Sequence, residues 1–218
     1  MALRDFIDYL ASLDAPDDMS INMYHGDTEE AEDRRKNLLY YLEMIKEINP
    51  THLLVGEAPG RYGCYLTGIP FTDEHTLVHN PLFQSLDCLV KALMELDSSI
   101  KPQREGTATT IWSCLSLLPH SSLPLMWNIY PFHPSSRPAN YLSANDRNNR
   151  RPSPKELELG LSVLKELLQY FNIDTIIAIG RVSEKVLKKE FPNISYIRHP
   201  AHGGTAKFKA GFNEFFQL

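Results

Sequence analysis

An acid, an amide and an imidazole each stand at or just after the end of a short apolar run. Glu57 follows "LLVG", Asn128 closes "LPLMWN", and His199 follows "ISYIR". A carboxylate can orient or deprotonate water, an amide offers one acceptor and two donors, and an imidazole can donate a proton or a hydrogen bond near neutral pH. Each residue also has an ordinary explanation, as a loop acid, a polar group bound to local backbone or a structural histidine. They indicate a site only if the fold brings them together.

The first of these runs leads into the glycine-rich stretch "VGEAPGRYGCYLTGIPF". Glycines at 56, 60, 63 and 68 allow close approach of a ligand to the backbone or a positive φ, although they also occur in ordinary tight turns. The spacing fits neither a phosphate-binding loop nor a dinucleotide fingerprint. Phe71, at the end of the stretch, is either a core residue or a stacking face for a planar ring.

Strand and helix patterns alternate along the chain. "THLLVG", "LPLMWNIY", "DTIIAIG" and "ISYIRHP" read as strands, and amphipathic segments lie between them. This alternation predicts the α/β class: one three-layer α/β/α domain over residues 1–218, with a central four-stranded parallel sheet. Residues 1–33 read as an N-terminal helical and acidic extension. The carboxyl ends of parallel strands meet at one edge, so the three polar residues are expected to lie close together there.

Composition excludes several classes of protein. The 218 residues carry a net charge of −5 and hold no apolar run of membrane-spanning length. Acids interrupt the apolar N-terminus, which argues against a secretory signal, and the three separated cysteines fit neither a zinc site nor a disulfide framework. A cytoplasmic location is therefore expected. Residues 1–60 hold 5 Lys and Arg against 13 Asp and Glu, whereas residues 61–218 hold 17 against 14. A local basic face in the second part can still bind phosphate.

Four segments together resemble the uracil-DNA glycosylase superfamily: "VGEAPGRYGCYLTGIPF", "WNIYPFHP", "NRRPSPKELELG" and "RHPAHGG". They match, in order, a strand that ends in a G-E-x-P-G motif, an asparagine from a second strand end, and a final H-P-[SA] motif. The resemblance runs from about residue 53 to the C-terminus and is closer to a bacterial group with "WNxxPFHP" and "RHPxxGG".

The resemblance implies roles residue by residue. Glu57 matches the acid of the first motif, Phe71 the ring that stacks on uracil, Asn128 the residue that recognises the pyrimidine edge, and His199 the hydrogen-bond donor to uracil O2. The expected catalytic residues are Glu57 and His199, and the expected substrate-binding residues are Gly56, Ala58, Gly60, Phe71 and Asn128.

The resemblance also predicts how DNA is held. Backbone amides of Gly203 and Gly204 precede the last helix and could contact a phosphate, while Arg198 and Lys207 could hold the strand by charge. His202 stands at the place from which the superfamily inserts a wedge into the duplex. The expected DNA-binding residues are Arg198, His202, Gly203, Gly204 and Lys207.

Some positions depart from the family pattern. Two ligand positions of the iron–sulfur branch fall on Phe132 and Gly160, so no cluster, metal or other cofactor is expected. Ala58 stands where several branches have Asp or Asn, which leaves Glu57 as the nearest group to activate water. Gly60 stands where one branch has a tyrosine that excludes thymine.

The resulting hypothesis is a monofunctional DNA glycosylase, expected to be monomeric. It would flip uracil or a related deaminated base out of DNA and hydrolyse its N-glycosidic bond. None of the motifs places a lysine where it is expected to form a Schiff base. Two alternatives remain open: a weak or inactive member that binds DNA or a base without cleavage, and an enzyme that acts on free nucleosides or nucleotides.

Overall fold

The computed structural model describes residues 2–137 and 149–218. The helices there are α1 (Leu3–Ser12), α2 (Glu29–Ile48), α3 (Cys64–Thr67), α4 (Glu74–His79), α5 (Leu89–Leu96), α6 (Gly106–Leu115), α7 (Pro154–Leu168), α8 (Arg181–Leu187) and α9 (Thr205–Phe216). Short 3-10 turns cover Pro81–Phe83 and His120–Ser122. The strands are β1 (Ser20–Ile21), β2 (His52–Gly56), β3 (Leu125–Asn128), β4 (His133–Pro134), β5 (Thr175–Ile179) and β6 (Ile194–Ile197).

Four strands form the parallel sheet in the order β3-β2-β5-β6, which confirms the predicted fold class. Their register places Gly56, the last residue of β2, directly beside Asn128, the last residue of β3. Strand β3 is an edge strand, and the Tyr41 hydroxyl of α2 accepts a hydrogen bond of 2.8 Å from its Met126 N–H. Helix α2 therefore covers an edge that would otherwise expose free backbone groups.

Helices flank both faces of the sheet. The connection from β2 to β3 runs towards one side of the sheet, whereas the connections from β3 to β5 and from β5 to β6 run towards the other side. Because such crossovers are right-handed, the two sets of connecting helices lie on opposite faces of the sheet. Helix α7 packs against α1 and α8, while α6 packs against α9. The carboxyl ends of β2, β3, β5 and β6 consequently lie at the same edge, where ligands bind in folds of this kind.

The N-terminal segment is folded onto the same core. Phe6 in α1 is 1% exposed and lies with its ring 5.7 Å from that of Trp127 in β3. Strand β1 pairs antiparallel with β4, and the buried Ser20 hydroxyl makes a hydrogen bond with the Tyr130 hydroxyl. The segment contributes α1 to the fold and covers the sheet where β3 ends.

The segment between β4 and α7 is described only at its two ends, since residues 138–148 lie outside the described part of the chain. Its ends meet in an antiparallel bridge between Ser135 and Asn149. Within residues 2–137 and 149–218, no helix is both long and apolar enough to cross a membrane, and no cluster of His, Cys, Asp and Glu has the arrangement of a metal site.

Candidate active site at the carboxyl edge of the sheet

A cleft of about 240 Å³ opens at the carboxyl edge of the sheet. Pockets for drug-sized ligands are generally larger, about 300–1,000 Å³, so this cleft suits a single planar ring. Its lining includes these residues of the predicted site: Glu57, Ala58, Gly60, Phe71, Asn128, His199 and His202. It also includes Cys64, Glu105 and Arg150, for which no local sequence pattern indicates a role in the site.

Gly56 lies directly beneath the meeting point of Phe71 and Asn128. A Cβ atom at this position would collide with the Phe71 ring and would approach Oδ1 of Asn128 to 2.8 Å. The absence of a side chain at the end of β2 therefore lets the aromatic ring and the amide meet across it. Gly56 shapes the pocket through the space that it leaves free.

Phe71 has a left-handed backbone, with φ of 56°. This conformation is unusual for a bulky residue and persists only where the surroundings hold it. The Thr67 hydroxyl donates to the Thr72 carbonyl at 2.8 Å, and the Thr72 hydroxyl accepts from the Trp112 indole at 3.1 Å. These buried contacts on both sides of the turn hold the Phe71 ring at 6% exposure on the cleft.

Asn128 is 3% exposed, and its Nδ2 donates to the Cys64 sulfur at 3.7 Å. That contact orients the amide while its Oδ1 stays over Gly56. Burial raises the pKa of the Cys64 thiol, so the sulfur is neutral at physiological pH. Cys64 therefore serves as a weak acceptor that positions the amide.

Glu57 is half-buried at the mouth of the cleft. Burial raises the pKa of its carboxyl group, and the positive charge of Arg151 acts in the opposite direction. The Glu57 carbonyl accepts from the Tyr130 N–H at 3.1 Å, which continues the pairing of β2 and β3 beyond their last residues. The carboxylate thus projects from a backbone that the sheet itself fixes.

His133 stabilises the loop that contains Glu57 through a buried hydrogen bond. Its side chain is fully buried, and Nδ1 donates to the Pro59 carbonyl at 3.0 Å. Burial lowers the pKa of His133 to about 4, so the ring is neutral and its Nδ1 carries the proton that this bond requires. The sequence contained this residue within "PFHP" but gave no sign of its contact with the first motif.

His199 is fixed as a neutral imidazole with a defined tautomer. The Ala201 N–H donates to Nδ1 at 3.1 Å, so the proton of a neutral ring must reside on Nε2. Burial lowers the pKa of His199 to about 4, and the charges of Arg198 and His202 act in the same direction. The ring therefore offers an N–H donor while remaining uncharged.

The predicted DNA-binding residues surround this histidine on a sharply turned loop. His202 and Gly203 both have left-handed backbones, with φ of 53° and 71°, and both are exposed. The Gly204 N–H, however, donates to the Ala201 carbonyl at 3.1 Å, and a Cβ there would collide with the His199 carbonyl. Gly204 thus has an internal role, and the Gly203 amide is the better candidate for the predicted phosphate contact.

Arg198 also has an internal role. Its guanidinium donates to the His199 carbonyl at 2.9 Å and lies 3.5 Å from the Ala201 carbonyl. These contacts stabilise the loop that carries His199. They engage the guanidinium group that was predicted to contact DNA, so the two roles compete. Lys207 is exposed on the first turn of α9, close to the same loop.

Arg150 lines the cleft and makes a bidentate salt bridge with a buried acid. Its two terminal nitrogens donate to the Glu156 carboxylate at 2.6 and 2.7 Å, and Glu156 is fully buried. The same guanidinium reaches the Met19 carbonyl and Asp17 in the N-terminal segment. Only proximity in three dimensions reveals this role, because the motif "NRRPSPKE" gives no indication of its partner.

Residues 44–217 match the family described as Uracil DNA glycosylase superfamily. The chain belongs to this superfamily. The solved structure titled "The crystal structure of WT Pedobacter heparinus SMUG2" is 19% identical, with a TM-score of 0.71 over 100% of this chain and 96% of that one. At this identity the likeness supports the shared fold. No curated protein sequence matches the chain significantly.

The positions that hold iron–sulfur ligands in one branch of the superfamily have packing roles here. Phe132 is fully buried, and a side chain at Gly160 would collide with the Ile129 carbonyl as α7 crosses the end of β3. Neither residue provides a thiolate, and a cysteine at position 160 would have to displace the Ile129 carbonyl. The described residues at these positions therefore do not fit a cluster.

Proposed function

We propose that the protein is a monofunctional DNA glycosylase that removes uracil or a related deaminated base by hydrolysis of the N-glycosidic bond. The observation that carries this proposal is the convergence of Glu57, Phe71, Asn128 and His199 on one cleft of single-ring size. Family membership supports the same class of reaction.

Recognition begins with extrusion of the base, because the glycosidic bond is inaccessible inside a stacked duplex. Phe71 stacks on the flipped ring, and its left-handed backbone presents the ring face from a rigid turn. The Asn128 amide, oriented by Cys64, reads the O4 and N3 edge through one acceptor and one donor.

Cleavage separates charge along the glycosidic bond. As the bond breaks, electrons move onto the base and the sugar becomes oxocarbenium-like. The Nε2–H of neutral His199 donates to the base oxygen on which negative charge grows, which stabilises the transition state electrostatically. A neutral donor suits this task because its hydrogen bond to the base oxygen becomes stronger as negative charge develops on that oxygen.

Water completes the reaction. Glu57 orients a water molecule and accepts its proton while the water oxygen bonds to C1′ of the sugar. The bond between C1′ and the base nitrogen breaks, and its electron pair remains on the base. The base then takes up a proton, so the products are a free base and an abasic site. Ala58, which lines the cleft without a polar side chain, leaves this task to Glu57.

The described lining of the cleft includes no lysine. Attack by water rather than by an amine is therefore the expected route, and the abasic strand should remain intact until it is treated with alkali. A borohydride-trapped covalent adduct would contradict this part of the proposal.

The test is a lesion panel. Oligonucleotides with uracil opposite guanine, opposite adenine and in a single strand are incubated with the protein and then treated with alkali. Strand cleavage only after alkali is expected for at least one of them. Absence of abasic sites from all three, and from matched hypoxanthine and xanthine substrates, would overturn the proposed activity.

Ala58 favours one alternative, a member that binds DNA or a base with little or no cleavage. Salt-dependent DNA binding without abasic product would support it. Hydrolysis of free deoxyuridine, without activity on oligonucleotides, would instead indicate an enzyme for nucleosides.

A further inference from the structure

A second carboxyl group faces the candidate cleft. Glu105 immediately precedes α6, and its side chain rests against the glycine loop that follows β2. A Cβ atom at Gly60 or at Gly63 would collide with one or the other of its carboxyl oxygens. Two glycines of the loop therefore make room for this carboxyl group, so the site is built around it.

The position of Glu105 is fixed by backbone contacts. Its N–H donates to Oδ2 of Asp73 at 2.7 Å, while Oδ1 of Asp73 accepts from the Thr76 N–H at 2.7 Å and caps α4. Asp73 is 1% exposed, so this link between α4 and α6 is internal. Glu105 is thus anchored through its backbone while its carboxyl group projects towards the loop and the cleft.

The carboxyl group itself has no hydrogen-bond donor among the residues that the structure describes. It lines both the candidate cleft and a neighbouring cavity of about 290 Å³. Burial, reinforced by the Asp73 carboxylate, raises the pKa of Glu105 to about 7. An unpartnered and largely buried carboxyl group is costly unless it is neutral or meets a ligand.

We propose that Glu105 is a specificity-determining residue whose protonated carboxyl group donates a hydrogen bond to a carbonyl oxygen of the extruded base. This inference rests on the proposal that the cleft receives such a base. A donor at this wall favours a base with a carbonyl group on the edge that faces Gly60. Loss of the proton leaves a carboxylate that can only accept, which favours an amino group over a carbonyl group on that edge.

Several other ionisable groups face Glu105. Asp73 and Cys64 lie on the elements packed against it, and the rest line one of the two cavities: Glu57, Arg61, Tyr62, Arg104, Arg150, His199 and His202. Because the pKa of His199 lies near 4, its ring stays neutral while Glu105 titrates. A His202→Gln variant separates the remaining imidazole from the effect of Glu105.

The experiment measures binding rather than cleavage, so its outcome does not depend on turnover. The probe is an oligonucleotide carrying non-hydrolysable 2′-fluorodeoxyuridine or 2′-fluorodeoxycytidine, and the uracil-to-cytosine affinity ratio is measured between about pH 6 and about pH 8.5. The ratio for the native protein should fall about tenfold across this interval as the donor is lost. Glu105→Gln keeps an N–H donor at every pH, so its ratio should be constant.

Glu74→Gln is the matched control, since Glu74 is another partly buried carboxyl group whose pKa is raised but which is not part of the cleft lining. It should retain the pH dependence of the native protein, as should His202→Gln. A ratio independent of pH in the native protein, or an unchanged slope in Glu105→Gln, would overturn the inference even if uracil is cleaved. A Glu105-dependent slope without cleavage would support the inference and count against the proposed glycosylase activity.

Discussion

The backbone N–H of Ala201 donates a hydrogen bond of 3.1 Å to Nδ1 of His199. This contact determines which nitrogen of the neutral ring carries the proton, because an accepting Nδ1 leaves the hydrogen on Nε2. The donor that the proposed mechanism requires is therefore set by the loop backbone before any base arrives.

Replacement of His199 with alanine should lower kcat by roughly 100- to 1,000-fold, the usual effect of removing one preorganised donor. His199→Gln, which retains an N–H donor, should recover part of this loss. Single-turnover cleavage of a uracil oligonucleotide is the measurement. His120→Ala is a suitable control because His120 is exposed in the turn that precedes β3, at the opposite edge of the sheet.

Much of the site could be predicted from sequence because its residues stand at strand ends. The alternation of strands and helices predicts a parallel sheet, and a parallel sheet brings Glu57, Asn128 and His199 to one edge without knowledge of any side-chain contact. The observed register, with Gly56 beside Asn128, is the structural reason why this inference succeeds.

The contacts that orient those residues could not be predicted in the same way. Cys64 and His133 act through single atoms across the fold, and Glu105 stands in a charged loop where an acid is unremarkable. Gly204 and Arg198 illustrate the converse problem, since residue types suited to phosphate binding are engaged by the loop itself. Partner identity depends on packing, and local patterns do not encode it.

Gly56→Ala should impair both the pocket and the fold. The added methyl group must displace the Phe71 ring or the Asn128 amide, and overpacking of this kind costs about 1–3 kcal/mol. We expect uracil cleavage to fall by at least about tenfold, since the displaced groups are those that contact the base. Urea unfolding and single-turnover kinetics measure the two effects.

Gly106→Ala provides the matched control for that substitution. No atom lies within 4 Å of a Cβ at Gly106, which begins α6. Alanine there should leave activity unchanged and either preserve stability or increase it by about 0.5–1 kcal/mol. Equal effects of the two variants would show that the space above Gly56 is unimportant.

His133 should make the fold less stable in mild acid. The pKa of the buried ring is about 4, against 6.5 for an ordinary histidine, so the unfolded chain binds more protons between these values and stability falls as the pH is lowered through them. The full effect is about 3 kcal/mol. His133→Gln should be less stable at pH 7, because Pro59 loses its donor, but should decline less steeply towards pH 4. Urea midpoints across this range compare the two slopes, and parallel curves would contradict the assignment.

Glu156→Gln should weaken the rim of the cleft. It breaks a charged fork in which the acid is fully buried and Arg150 retains some exposure, so we expect a loss of about 2–3 kcal/mol in the free energy of unfolding. Chemical denaturation is the measurement. Glu158→Gln, on an exposed position of the same helix, should change stability by less than about 0.5 kcal/mol. A comparable loss in both variants would mean that the fork has no special role.

Lys207→Ala should weaken DNA binding to a similar degree for every sequence and reduce the salt dependence of the binding constant by about one unit of slope, as expected for one lost phosphate contact. Fluorescence anisotropy with a labelled duplex at several salt concentrations measures the slope. Lys46→Ala is the control, because Lys46 lies in the last turn of α2, which leads into the start of β2 at the opposite edge of the sheet. An unchanged slope for Lys207→Ala, or an equal decrease for both variants, would remove this lysine from the DNA-binding surface and leave the contact to the Gly203 amide and its neighbours.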